Sequence, residues 1–118
     1  MYCMTQIEEL TKKVEEFRDA RNWKQFHNPK DLALSLVLES AELMEHFQWK
    51  NAEEMDKHIL VNKGEISEEL ADVFYWTLLI AKDFNIDLEK ALELKIDINN
   101  KKYPVEKAKN KHTKYTEL

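Results

Sequence analysis

The chain has 118 residues with one glycine, two prolines and a formal net charge of −5. That length suits one compact domain, and the scarcity of turn-forming residues in a sequence rich in Glu, Lys, Leu and Ala excludes a many-turned β fold and favours an all-α one. The acidic balance argues against nucleic acid as the main partner, because binding a phosphate backbone requires an excess of Lys and Arg.

Two amphipathic helices are predicted in the first half of the chain. Thr5 followed by Glu8 has the form of a capping box, and apolar residues then recur at helical spacing, so the first helix should cover about residues 5–21. Asn28 can cap a second helix over about residues 29–48, because the proline at its first position has a backbone already suited to a helix start.

Two further long helices are predicted in the second half. The stretch AEEMDKHIL can form a short surface helix, and Gly64 is expected to mark its end. The third long helix should begin at Ser67 or just before it, and its second half is apolar on nearly every side. Asp87 can cap a fourth helix that ends near Tyr103, since the residue before a proline resists the α conformation.

These elements predict a single domain over residues 1–118, built as a four-helix bundle. The apolar third helix predicts that buried helices join subunits into an oligomer. Residues 1–89 carry 10 basic and 19 acidic side chains, whereas residues 90–118 carry 8 basic and 4 acidic ones, so a basic C-terminal tail over residues 102–118 follows an acidic body. The lone Cys3 and the lack of a long apolar run predict a cytoplasmic location and no membrane partner.

Two pairs of acidic residues interrupt the apolar faces of the second and third long helices. Glu39 and Glu42 lie three apart within a leucine stripe, and Glu69 and Asp72 repeat the arrangement on a line that continues to Trp76. Burying an unpaired carboxylate costs several kcal/mol, and neither helix offers a Lys or Arg on that face. A hard divalent cation, Mg²⁺, is therefore the predicted partner of the four acids.

The surroundings of the acids suggest a phosphate-containing substrate. Mg²⁺ held by few protein ligands usually also grips substrate phosphates. In the basic region over residues 90–118, Lys95, Lys101 and Lys102 can meet phosphate oxygens, while Asn99 and Tyr103 can add hydrogen bonds. Their spacing is equally typical of a solvated surface, so both interpretations stay open at this point.

Aromatic side chains gather at the breaks between helices. A flat ring presented from a loop can stack on a nucleobase, and Trp23 and Trp49 can serve either in this way or in the core. Phe26 and Phe47 are assigned to the core. His27 can hydrogen-bond a base or a phosphate, although a histidine beside a helix start is more often structural.

Four strings together resemble a known enzyme family: RNWKQFHNPKDLALSLVLESAELMEHFQWK, EELADVFYW, KIDINNKKYP and KYTEL. They resemble the MazG-like all-α nucleotide pyrophosphohydrolases, in the deoxycytidine triphosphate pyrophosphatase branch, over about residues 15–118. The resemblance implies a homotetramer built as a dimer of dimers, with sites between helices of adjoining subunits. It also implies hydrolysis of a nucleoside triphosphate, dCTP or a related deoxynucleotide, to the monophosphate and pyrophosphate.

The resemblance also assigns roles to individual residues. The Mg²⁺ ligands and catalytic residues would be Glu39, Glu42, Glu69 and Asp72, with one glutamate activating the attacking water. The residues around the base, sugar and phosphates would be Trp23, His27, Trp49, Trp76, Lys95, Asn99, Lys102 and Tyr103. Trp76 stands where relatives commonly carry tyrosine, and Val14 stands where some carry histidine, so the base preference stays open.

Three alternatives compete with this hypothesis, and the sequence argues against the last two of them. Within the enzyme class, the substrate could be dUTP or another nucleotide, and the purpose could be removal of modified nucleotides or control of normal ones. A carboxylate-bridged di-iron protein needs Glu-x-x-His pairs, which the sequence lacks. A non-catalytic helical interaction module would leave the embedded acids without a purpose.

Overall fold

The computed structural model describes residues 2–118. Within this range the chain forms six α-helices and two short 3₁₀ turns, at Lys24–Phe26 and Tyr115–Glu117, and no strand. The α-helices are α1 (Gln6–Ala20), α2 (Pro29–Glu45), α3 (Ala52–Val61), α4 (Lys63–Asp83), α5 (Leu88–Lys102) and α6 (Val105–Ala108). The prediction of an all-α protein is confirmed.

The helices form two compact units that divide between Asn85 and Ile86. The first unit contains α1 to α4, and the second contains α5 and α6. Within the first unit α2 packs along α4, and α1 and α3 also contact α4. The buried apolar side chains lie in this unit: Leu32, Leu78, Leu79 and Ala81. The expected single domain over residues 1–118 stays a prediction.

The first two helices begin where the sequence predicts. The Thr5 hydroxyl accepts a hydrogen bond from the Glu8 N–H, and the Asn28 side chain accepts one from the Asp31 N–H at 2.9 Å. Both contacts satisfy amide groups that a helix start leaves without a partner inside the helix. The last residue of α2 is Glu45 rather than residue 48, because the chain turns sharply through residues 46–49.

The boundary between α3 and α4 differs from the prediction. The short helix is present, and Asn51 and Glu54 form a complete capping box at its start. Gly64, however, does not end it: α3 ends at Val61, with Asn62 as its C-cap, and Gly64 is the second residue of α4. Asn62 has a φ of −113°, so the junction needs no left-handed residue and hence no glycine. The third long helix therefore starts at Lys63.

In the second unit the predicted helix is present with its predicted ends. The Asp87 carboxylate accepts a hydrogen bond from the Lys90 N–H at 3.1 Å, and Tyr103 is the C-cap directly before Pro104. The basic tail is partly helical, since it contains α6 and the second 3₁₀ turn. Among residues 2–118, no helix combines the length and apolar character that crossing a bilayer requires.

Candidate active site

Three of the four predicted metal ligands meet in the first unit. Glu39 of α2 and Glu69 and Asp72 of α4 place carboxylate oxygens within 4.8 Å of one another. Neighbouring and opposite ligands of one Mg²⁺ ion lie about 2.9 and 4.2 Å apart at its usual bond lengths, so small side-chain adjustments suffice to bind it. The packing of α2 along α4 is what brings the two acid pairs together.

Glu42 lies beside this cluster rather than in it. Its side chain is exposed, and its proximity contributes to raising the pKa values of Glu39 and Glu69.

Two acids of the cluster, Glu39 and Glu69, have raised pKa values. Burial, a hydrogen bond to Glu42 and the charges of Asp72, Glu42 and Glu69 together raise the pKa of Glu39 to about 7. The pKa of Glu69 is raised by burial, by its hydrogen bond to Glu42 and by the neighbouring carboxylates, while His46 opposes the rise. These are the shifts expected when like charges converge away from water.

Two carboxylate oxygens of the cluster have no hydrogen-bond partner. Oε2 of Glu39 and Oε2 of Glu69 are buried, and nothing within residues 2–118 donates to them. In the same range no Lys or Arg forms an ion pair with any of the four acids. Buried acceptors of this kind normally bind a donor or a cation, so the donor set suits a hard divalent ion.

An aromatic cavity of about 490 Å³ adjoins the acids. Its lining consists of Lys13, Val14, Phe17, Trp23, Glu39, Asp72, Tyr75 and Trp76. The rings meet edge to face: the centroids of Phe17 and Trp23 are 5.7 Å apart, and those of Tyr75 and Trp76 are 5.2 Å apart. The cavity thus combines aromatic rings with two of the carboxylates.

The structure brings some of the predicted substrate contacts to this cavity. Trp23 and Trp76 line it. His27 lines a different cavity, and its ring packs edge to face on Trp76 at 5.5 Å. Trp49 does not line it: this residue has a φ of 67° in the turn after α2, and its side chain is 92 % exposed. A single sequence cannot distinguish these two tryptophans, because both follow a helix break.

The other four predicted substrate contacts belong to the second unit. Lys95 and Asn99 are exposed and lie four residues apart on α5, which places them on one face of the helix. Tyr103 packs edge to face on Tyr115 at 5.9 Å, and Lys102 Nζ lies 4.6 Å from the centre of the Tyr115 ring. Their contact with a nucleotide stays a prediction.

A histidine pair beside the acids was not predicted from the sequence. His46 Nδ1 lies 2.8 Å from His58 Nε2, and the Asn62 side-chain amide lies 3.0 Å from His58 Nδ1. The same Asn62 nitrogen donates to the His58 carbonyl oxygen. Because an amide nitrogen can only donate, His58 Nδ1 is the acceptor in the second contact. The sequence feature that could have indicated this pair is the spacing of Glu42 and His46, which lie one helical turn apart.

Two lining aromatic residues and one cation were also missed. Phe17 of α1 and Tyr75 of α4 were not among the predicted site residues, and both line the cavity. Lys13 lines it from α1. The sequence carries no signal for these residues, since their place follows from how α1 packs on α4.

Comparison with known proteins identifies the family. Residues 34–118 match the MazG-like family. The chain belongs to the MazG-like family. Human dCTP pyrophosphatase 1 is 38 % identical to it over 114 residues, which cover 95 % of this chain and 67 % of the human protein. The bovine dCTP pyrophosphatase 1 is 36 % identical over the same length, covering 95 % of this chain and 68 % of the relative.

A solved structure shares the fold of this MazG-like protein. The crystal structure of a pyrophosphatase from Archaeoglobus fulgidus superimposes with a TM-score of 0.82 at 38 % identity, covering 88 % of this chain and 97 % of the archaeal one. The resemblance read from the four sequence strings is therefore confirmed.

Proposed function

We propose that this MazG-like protein hydrolyses dCTP or a related deoxynucleoside triphosphate to the monophosphate and pyrophosphate, in a reaction that depends on Mg²⁺. The class of enzyme, a nucleoside triphosphate pyrophosphohydrolase, follows from the family and from the dCTP pyrophosphatases it resembles. One observation carries the proposal furthest: an acid cluster with unpartnered buried oxygens adjoins a cavity lined by aromatic rings.

In this proposal Glu39, Glu69 and Asp72 hold the metal, and Glu42 completes the set when the triphosphate binds. A bound Mg²⁺ would neutralise triphosphate oxygens and the charge that develops on them during displacement. The unpartnered Oε2 atoms of Glu39 and Glu69 support this assignment, because a cation would satisfy both. Their raised pKa values support it too, since a cation would favour the ionised forms.

The same carboxylates can activate water. One glutamate of the cluster accepts the proton as the water oxygen bonds to the α-phosphorus, and the bond from that phosphorus to the α–β bridging oxygen breaks. Pyrophosphate then leaves with the electron pair of the broken bond. A general base must be ionised before it accepts this proton, and a bound cation would favour the ionised form.

The base would enter the aromatic cavity. Trp23 and Trp76 offer ring surfaces for stacking, an interaction that contributes about 1–3 kcal/mol per base in single-strand binders. We assign His27 and Trp49 to the surroundings of the base, and Lys95, Asn99, Lys102 and Tyr103 to the sugar and phosphates.

The proposed assembly is a homotetramer, a dimer of dimers, whose subunit is one domain built on the four long helices. Leu34, Val37, Leu38 and Met44 support an oligomer because they form an apolar stripe on α2 that is 51 to 62 % exposed. Such a stripe normally becomes buried in a partner. We place the protein in the cytoplasm, which suits the exposed free thiol of Cys3.

The deciding experiment is a panel of canonical and modified nucleoside triphosphates, assayed for pyrophosphate release with and without Mg²⁺. We expect release from dCTP or a close relative, and none after chelation. Release from dUTP alone would replace the proposed substrate with the alternative one. If no nucleotide of the panel released pyrophosphate and millimolar Mg²⁺ left the melting temperature unchanged, the interaction module would be favoured.

A further inference from the structure

A buried ion pair joins α1 to the end of α4. The Arg18 side chain is fully buried, and its guanidinium donates to both oxygens of Asp83, from Nη1 at 2.7 Å and from Nη2 at 2.9 Å. A buried charge is tolerated only when it is paired in good geometry. The two parallel hydrogen bonds fix the orientation of the guanidinium relative to the carboxylate.

A third side chain contacts the same guanidinium. Nη1 of Arg18 lies 3.3 Å from Nδ1 of His27. Because a guanidinium has donors and no acceptor, His27 Nδ1 must be the acceptor, and a neutral imidazole then carries its proton on Nε2. The pKa of His27 is lowered by burial and by the charge of Arg18, with Asp83 opposing, so the neutral ring is favoured.

His27 lines a second cavity together with Asp83, beside the candidate active site. Its ring packs on Trp76, which lines the aromatic cavity together with Glu39 and Asp72. We propose that Arg18, held by Asp83, is a positioning residue that fixes His27 as a neutral donor through Nε2–H, directed at an acceptor oxygen of the nucleotide. The proposal rests on the proposed function, in that it takes His27 to contact the substrate.

The first test reads the tautomer of His27 directly and needs no activity. In ¹⁵N-labelled protein the two ring nitrogens are distinguished by their chemical shifts, and the His27→Gln variant assigns the signals. We expect a bare Nδ1 and a protonated Nε2. A ring protonated on Nδ1 would overturn the proposal even in a fully active enzyme, so its failure is separable from that of the proposed function.

Variants separate positioning from simple structural support. Replacing both members of a buried ion pair with apolar residues is often neutral or stabilising, so Arg18→Met with Asp83→Leu should keep the melting temperature within a few degrees. This double variant should nevertheless give a mixture of His27 tautomers. The control Asp19→Asn removes an exposed acid 3.8 Å from Arg18 Nε and should leave the tautomer unchanged. An unchanged tautomer in the double variant would refute the positioning role.

Kinetics supply the functional half of the test. The double variant should raise KM by about five- to tenfold, the factor that one neutral hydrogen bond is worth, with a smaller change in kcat. Adding His27→Gln to it should cost little more, because both changes remove the same contact. Effects that add fully would show that Arg18 and His27 act independently and would contradict the proposal.

Discussion

At the scale of single residues, the most informative atoms are two carboxylate oxygens, Oε2 of Glu39 and Oε2 of Glu69. Both are buried without a hydrogen-bond partner inside residues 2–118, a state that costs free energy in any fold. The same carboxyl groups have raised pKa values, since burial and like charges disfavour ionisation. Such an unfavourable free energy is typical of metal ligands, because the binding of the ion offsets it.

The first prediction concerns protons released on metal binding. The pKa of Glu39 is raised to about 7, so the metal-free site keeps a proton that Mg²⁺ must displace. Affinity for Mg²⁺ should therefore fall as the pH drops through 7, and the heat of binding at pH 7 should vary with the ionisation enthalpy of the buffer. Titration calorimetry in two buffers measures this.

The control for this titration is Glu45→Gln, which alters an exposed acid at the end of the same helix and should change nothing. A buffer-independent heat at pH 7 would show that no proton leaves. The site would then bind Mg²⁺ without the proton exchange that the raised pKa requires.

The second prediction concerns turnover. Asp72→Asn keeps the size of the side chain and removes one charged ligand, so pyrophosphate release should fall at least about a hundredfold, in line with several kcal/mol of lost metal stabilisation. Circular dichroism should show an unchanged helical content. The matched variant Glu68→Gln changes an exposed acid of α4 and should keep normal rates. A rate for Asp72→Asn equal to that of Glu68→Gln would remove Asp72 from the mechanism.

At the scale of elements, the junction of α3 and α4 shows how a helix boundary can be set by an asparagine. Asn62 closes α3 with its N–H on the His58 carbonyl at 2.8 Å, and its side-chain amide donates to the same carbonyl. The chain then enters α4 at once, with Gly64 already helical. Gly64 is thus not the boundary residue, although glycine is common at helix ends.

The third prediction follows from this junction. A Cβ added at Gly64 would meet nothing within 4 Å, and its backbone is not left-handed. Gly64→Ala should therefore stabilise the protein by about 0.5–1 kcal/mol, because alanine loses less backbone entropy on forming a helix. Thermal denaturation measures the change. A lower melting temperature would mean that Gly64 adopts the left-handed conformation of a helix end.

At the scale of the whole molecule, the exposed apolar side chains are the dominant feature. The stripe of Leu34, Val37, Leu38 and Met44 on α2 faces away from the residues that pack on α4. On α4 itself Leu70 and Phe74 are 52 % and 40 % exposed. A monomer rarely keeps so much apolar surface on two neighbouring helices, so subunit association is the physical expectation.

The fourth prediction tests that association. Leu38→Glu places a charge in the middle of the stripe, where burial would cost several kcal/mol, and should shift the particle to a smaller mass in light scattering. Lys57→Glu, an exposed change on α3, should leave the mass unaltered. A monomeric native protein, or a Leu38→Glu variant with the native mass, would exclude assembly through α2.

The sequence by itself determined the all-α class, the caps at Thr5, Asn28 and Asp87, and the family. It also determined that two acid pairs share a face with apolar residues. These features depend on neighbours within one or two helical turns, where spacing and side-chain chemistry decide the outcome.

Only the tertiary structure decided which of those acids converge. The register of α2 against α4 places Glu39 with Glu69 and Asp72, and leaves Glu42 exposed beside them. The packing of α1 on α4 places Trp23 in the cavity lining, which does not include Trp49. The distance between two helices depends on how their side-chain surfaces pack against each other. Spacing and side-chain chemistry within one helix do not specify that packing.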